Sequence, residues 1–93
     1  MPPFIVTYDL VKEESSEDYK PLIADLRERG AQRYQASCWL VNLANTAEQV
    51  YNHYRTMLDE NDKLMVSELT ENHKQSRNFK GTNAWIEDNP PLR

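Results

Sequence analysis

The chain has 93 residues and a mass of 10.9 kDa, so we expect one domain with a small hydrophobic core. Hydrophobic residues make up 39% of it, which excludes a disordered composition, and a net charge of −4 argues against a generally basic nucleic-acid coat but allows a local nucleic-acid site. No apolar run is long enough for a membrane span and no signal peptide is visible. The single cysteine, Cys38, excludes an internal disulfide, so the expected location is a reducing cytoplasm.

The first strand is predicted over residues 4–10, where aromatic and β-branched side chains alternate along Phe4-Ile5-Val6 and the residues after them. Because Ile5 makes the second face apolar too, this strand is expected to be central and covered on both faces at its start. It ends at Asp9 and Leu10, and a polar loop follows.

A first helix is predicted over residues 18–29. Its apolar side chains recur at the spacing of one helical face, and Gly30 has the position of a residue that ends a helix. Those side chains are Tyr19, Leu22, Ile23 and Leu26.

Residues 32–43 are rich in residues that favour strands, and the segment is long enough for two short strands or one bent strand. Uninterrupted alternation would divide its side chains between two faces. One face would carry Tyr34, Ala36, Cys38 and Leu40, and the other would carry Gln35, Ser37, Trp39 and Val41.

A second helix is predicted over residues 46–58, with Asn45 or Thr46 as its N-cap and Glu48 or Gln49 closing a capping box. A polar turn at 59–62 is expected to be a solvated connection. A further strand follows over residues 63–69, in which Leu64 and Val66 alternate with Met65.

The resulting order of elements, βαββαβ, predicts an α+β, ferredoxin-like fold with an antiparallel sheet and both helices on one face. The domain is assigned to residues 1–71, and residues 72–93 to a polar loop and C-terminal tail that forms an edge strand or docks at a dimer contact. The helices should bury Tyr19, Leu22, Ile23, Leu26, Val50, Tyr54, Met57 and Leu58 against Phe4, Val6, Tyr34, Leu40, Leu64 and Val66. The opposite face should carry Trp39, Val41 and Met65, and a second copy should cover it.

Three groups of residues are candidates for chemistry. Asp9 lies at the end of an apolar strand, where a carboxylate can meet a metal or a phosphate, or can simply cap the following turn. Gln35, Ser37 and Trp39 would line a groove or a subunit contact, or form a solvent face. A sparse basic run could contact phosphates or be a solvated loop, and it consists of Lys74, Arg77 and Lys80.

Several of these segments together resemble the small CRISPR-associated "Cas-two" family and its relatives, which include virulence-associated-protein-D-like toxins and uncharacterised small bacterial proteins. The resemblance covers about residues 4–69. The Ser37-Cys38-Trp39-Leu40-Val41 run and the later Asn83-Ala84-Trp85 look most similar to the uncharacterised group. The motifs are Val6-Thr7-Tyr8-Asp9-Leu10, the helix ending in Gly30, Arg33-x-Gln35-x-Ser37-x-Trp39, the second helix, and Asp59-x-x-Asp62-Lys63-Leu64-x-Val66.

This resemblance implies a ferredoxin-like fold, a symmetric homodimer and a metal-dependent nuclease acting on RNA or DNA. Asp9 would lie near the dimer axis and bind Mg²⁺ or Mn²⁺ as the catalytic ligand. Its cleft would be lined by Tyr8, Gln35, Ser37 and Trp39. The alternative is a homodimeric adaptor or interaction protein that keeps the fold without catalysis.

Overall fold

A computed structural model describes the whole chain, Met1–Arg93. Its elements, in chain order, are β1 (Pro3–Asp9), a 3-10 turn (Glu17–Tyr19), α1 (Lys20–Glu28), β2 (Gln32–Gln35), β3 (Cys38–Asn42), α2 (Ala47–Arg55), β4 (Lys63–Glu68) and α3 (Thr82–Asp88). The four strands form one antiparallel sheet in the order β2-β3-β1-β4. The predicted α+β, ferredoxin-like fold is therefore confirmed, with α3 as an addition at the C-terminus. None of the three helices has the length and apolar character needed to cross a membrane.

The helix boundaries follow from local chemistry. Pro21 lies in the first turn of α1, where its missing N–H costs no hydrogen bond. Gly30 ends that helix with a φ of 69°, a conformation that side chains with a Cβ disfavour. At α2 the predicted capping box is present, because the Thr46 hydroxyl accepts from the N–H of Gln49 and the Gln49 side chain accepts from the N–H of Thr46.

The core lies between α1, α2 and one face of the sheet. From the helices it contains Leu22, Leu26, Val50 and Tyr54, and Ile23, Met57 and Leu58 pack against it while partly exposed. From the sheet it contains Phe4, Val6, Tyr8, Trp39 and Val41, with Leu64 and Val66 at its margin.

The two faces of β3 are the reverse of those predicted. Trp39 pairs with Val6, and Val41 pairs with Phe4, so both lie on the helix face rather than the face opposite it. Leu40 is buried, but it lies on the other face, where Tyr34 also lies. Both faces of β3 are apolar, so alternation could not decide which face meets the helices; the larger side chain, Trp39, fills the space beneath them.

We call the sheet face opposite α1 and α2 the open face. Residues 70–93, the C-terminal segment, cover half of it, and Leu40, Leu69 and Thr82 are buried there. The segment ends in a helix and not in the edge strand that was one prediction for it. Trp85 ties this helix to the body of the protein, since its indole N–H donates to the carbonyl oxygen of Gly30 at 2.8 Å.

Candidate functional site

Asp9 is the last residue of β1 and lies on the uncovered half of the open face. Its side chain is 77% exposed and forms no hydrogen bond within the chain. The nearest charged group is Lys63 on the paired strand, whose Nζ is 4.0 Å from Oδ2 of Asp9. A carboxylate that caps a turn would accept backbone N–H groups, and this one accepts none. The turn-capping alternative for Asp9 therefore finds no support in the geometry.

The uncovered half of the open face is small and amphipathic. It carries Asp9 and Lys63 at its tip, with Thr7 and Met65 paired directly behind them. Met65 is 68% exposed, one of the most exposed large apolar side chains of the molecule. No group of three or more histidine, cysteine or acidic side chains lies close enough together to hold a metal. One chain therefore offers a single carboxylate here, and a metal at Asp9 would need further ligands from a second copy or from a substrate.

Tyr8 and Trp39, predicted to line a cleft beside Asp9, lie on the opposite side of the sheet, in the core. Trp39 donates its indole N–H to the Tyr8 hydroxyl at 2.8 Å, and that hydroxyl donates to Oε2 of Glu14 at 2.8 Å. Glu14 also forms an ion pair with Arg33, whose guanidinium stacks over the Trp39 ring at 4.7 Å. Burial raises the pKa of the Tyr8 phenol, and the neighbouring Glu14 raises it further. These four side chains form a hydrogen-bonded group without net charge, and it connects the sheet to the loop after β1.

Gln35 and Ser37 also fail to form one surface with Trp39. Residues 36–37 are a two-residue turn between β2 and β3, and an irregularity between Arg33 and Gln35 shifts the register. As a result Gln35 lies on the open face beside the C-terminal segment, where its side chain donates to Asn78 at 3.1 Å. Ser37 contributes its carbonyl oxygen to the N–H of Tyr8 at 3.1 Å. Only Ser37 therefore contacts the end of β1, and it does so through its backbone, whereas Gln35 is separated from β1 by β3.

The basic run in the C-terminal segment is exposed and free of acidic partners. Lys74, Arg77 and Lys80 form no ion pair, although the chain carries seven others. Their segment is anchored to β2, because the N–H of Phe79 donates to the carbonyl oxygen of Tyr34 at 3.1 Å. The cations therefore border the open face on the side away from Lys63.

Sequence reasoning missed Asp62, which is buried and 4% exposed. One of its oxygens accepts from the N–H of Val11 at 2.8 Å and from the hydroxyl of Tyr19 at 2.9 Å, and the other accepts from the N–H of Asp59 at 2.8 Å. The sequence predicts a solvated turn for Asp62, and only its place in the motif at residues 59–66 distinguishes it. Its neighbours in the sequence are polar, so no local pattern signals its burial.

Comparison with known proteins supplies no family assignment: no protein-family model matches the chain, and no solved structure matches it significantly.

Proposed function

We propose that the chain acts as a homodimeric, metal-dependent nuclease on RNA or DNA, with the Asp9 residues of two copies binding Mg²⁺ or Mn²⁺. The observation that carries this proposal is the position of Asp9: an exposed carboxylate, at a strand end, on the uncovered half of the open face, with no structural hydrogen bond. A metal held there would polarise a phosphate or activate a water molecule. The resemblance of the surrounding motif to the "Cas-two" family points to the same residue.

The proposal requires that the open faces of two copies meet. Carboxylates that share one ion must approach to within a few ångströms, because Mg²⁺ binds oxygen at about 2.1 Å. Pairing of the two exposed β4 edges would leave three strand spacings, about 14 Å, between the Asp9 residues. Contact through Met65 and Thr7 instead places both Asp9 residues in the interface, so the proposed dimer is a face-to-face one.

The unpaired cations of the C-terminal segment are the proposed contacts to the nucleic-acid backbone. Lys74, Arg77 and Lys80 flank the open face and carry no acidic partner that a phosphate would have to displace. Each phosphate contact makes binding more sensitive to salt. Replacing all three with alanine should therefore weaken nucleic-acid binding and flatten its dependence on salt concentration.

The decisive experiment compares cleavage by the wild type and by Asp9→Asn, with Mg²⁺ or Mn²⁺ and single- and double-stranded RNA and DNA. We expect Asp9→Asn to lose cleavage while remaining folded, since its side chain is exposed. Asp18→Asn is the matched control, because Asp18 is also exposed and also paired with one lysine, Lys12. No cleavage by the wild type, or equal cleavage by Asp9→Asn, would overturn the catalytic proposal.

The second candidate is a homodimeric adaptor without catalysis, and Lys63 is the observation that favours it. A lysine ammonium 4.0 Å from the only carboxylate competes with a bound cation. If Lys63 opposes metal binding, the Lys63→Gln variant, in which Asp9 is unchanged, should bind Mn²⁺ more tightly than the wild type. Calorimetry measures the two affinities. If the dimers of both the wild type and Lys63→Gln bind no metal, the metal-dependent proposal fails and the adaptor is favoured.

A further inference from the structure

A well-formed cavity lies away from Asp9, between the open face and the C-terminal segment. It has a volume of about 430 Å³, within the usual size of small-molecule sites. Its apolar surface comes mainly from the sheet and from the last helix, and its polar surface comes from β2 and from the C-terminal segment. The apolar side chains are Ile5, Leu40, Leu69 and Ile86.

The cavity is free of acidic side chains. The chain has 15 aspartates and glutamates, yet none is among the twelve residues that line this site. Lys74 is among them, and it forms neither an ion pair nor a hydrogen bond with any other residue. In a protein of net charge −4, an acid-free cavity that carries an unpaired lysine favours an anion.

The polar side chains at the rim of the cavity are held in place by hydrogen bonds, and some of their donor and acceptor groups remain free for a ligand. Gln35 donates to Asn78 at 3.1 Å, and Asn78 donates to Gln75 at 2.8 Å, so the three amides hold one another in place. The carbonyl oxygen of the Gln35 side chain and the hydroxyl of Ser76 form no hydrogen bond within the chain. Burial raises the pKa of the Tyr34 phenol to about 12, so it stays neutral and polar without adding negative charge.

We propose that this cavity binds a small aromatic anion, with a flat apolar body against Ile5, Leu40 and Ile86 and one phosphate or carboxylate at Lys74 and Ser76. The apolar surface accepts a ring that buries its face, and the amide rim can hydrogen-bond to ring heteroatoms. A nucleoside monophosphate and an aromatic carboxylate share this chemistry. The site is separate from Asp9 and does not require the protein to be a nuclease, although it shares Lys74 with the proposed nucleic-acid contacts.

Binding to the full chain can be followed residue by residue by NMR. We would titrate ¹⁵N-labelled protein with four probes: adenosine 5′-monophosphate, 1-naphthoate, adenosine and inorganic phosphate. At least one of the two aromatic anions should shift the resonances of cavity residues in a saturable way, and both half-ligands should bind more weakly. Binding of the nucleotide alone assigns a phosphate ligand, and binding of naphthoate alone assigns a carboxylate.

The charge is tested with Lys74→Gln, an exposed substitution that leaves the fold intact. Because a hydrogen bond to a charged group contributes substantially to binding, affinity for the aromatic anion should fall roughly tenfold. Lys20→Gln on α1 is the matched control and should leave the affinity unchanged. The proposal is overturned if neither anion gives saturable shifts at the cavity, if adenosine or phosphate alone binds as tightly as the nucleotide, or if Lys74→Gln binds as well as the wild type.

Discussion

Asp62 joins three parts of the chain that are far apart in sequence: the loop after β1, the turn before α1 and the turn before β4. It accepts hydrogen bonds from Val11, Tyr19 and Asp59, and all three donors would be left without a partner if it were removed. Its peptide carbonyl adds a fourth tie, because Arg55 donates to it at 2.8 Å. Asp62 thus holds the end of β1, and with it the backbone that carries Asp9.

We predict that Asp62→Asn destabilises the protein. The amide keeps one acceptor oxygen but presents an NH₂ group to at least one N–H donor, which loses its partner at a cost of roughly 1–3 kcal/mol. Urea denaturation at pH 7 measures the change in the free energy of unfolding. Asp59→Asn is the control in the same turn, since its exposed side chain accepts only from the N–H of Asn61, and it should cost much less.

Asp62 should also make the stability of the protein sensitive to acid. Burial opposes ionisation of Asp62, but the hydrogen bonds from the N–H groups of Val11 and Asp59 and from Tyr19 outweigh it and hold its pKa below the usual range. The stabilisation by its ionised form is therefore complete above about pH 4, the unfolded-state pKa, and is lost as the pH falls through the lower folded-state value. Unfolding followed from pH 6 to pH 2 should show a smaller loss of stability on acidification for Asp62→Asn than for the wild type. Parallel curves would contradict this role.

Among the elements, α2 is the one whose beginning is most clearly encoded. Thr46 and Gln49 cap each other's backbone N–H groups at 3.2 and 2.9 Å. We predict that Thr46→Ala lowers the free energy of unfolding by roughly 0.5–2 kcal/mol, the usual cost of a lost N-cap. Asn45→Ala, one residue earlier, removes only a long 3.4 Å contact to Gln49 and should be close to neutral in the same denaturation experiment.

The elements that could be predicted are those whose own sequence has a clear period. β1, α1, α2 and β4 were placed within a few residues, because their apolar side chains recur at strand or helix spacing. The β2–β3 hairpin was harder, since its turn at Ala36-Ser37 lacks the glycine, asparagine or aspartate that usually marks a two-residue turn. The grouping of Gln35, Ser37 and Trp39 failed for this reason, whereas the position of Asp9 at the end of a strand depended on β1 alone and was correct.

The C-terminal helix could not be predicted because its stability comes from tertiary contacts. It spans only Thr82–Asp88, too short to be stable alone, and Trp85 and Asn89 fasten it to Gly30 and Asn42. We predict that Trp85→Phe, which keeps an aromatic side chain but removes the N–H donor, increases hydrogen exchange of the backbone amides of α3. Amides of β1 and β3 should keep their protection. Equal loss of protection throughout the protein would mean that α3 does not open separately from the core.

At the scale of the whole molecule, the open face divides into two halves with different chemistry. The half under the C-terminal segment is closed by the chain itself and contains the proposed anion cavity. The other half presents Met65 to solvent beside Asp9, on a domain whose small size limits how much apolar surface it can bury. The segment that covers the first half also limits the second, so a partner copy can reach only the part of the sheet around Thr7 and Met65.

We therefore predict a homodimer that depends on Met65. The wild type should sediment at low micromolar concentration with twice the 10.9 kDa mass of one chain, and Met65→Lys should sediment as a monomer, because the substitution places a charge in a desolvated contact. Leu92→Lys is the matched control and should remain dimeric. Leu92 is 63% exposed, and the residue after it, Arg93, binds Glu68 at the end of β4 opposite Lys63. A 10.9 kDa wild-type species would refute the dimer.

The same variant links the dimer to the proposed activity. Because each chain supplies one carboxylate at this site, Met65→Lys should also abolish any metal-dependent cleavage that requires Asp9, although Asp9 itself is unchanged.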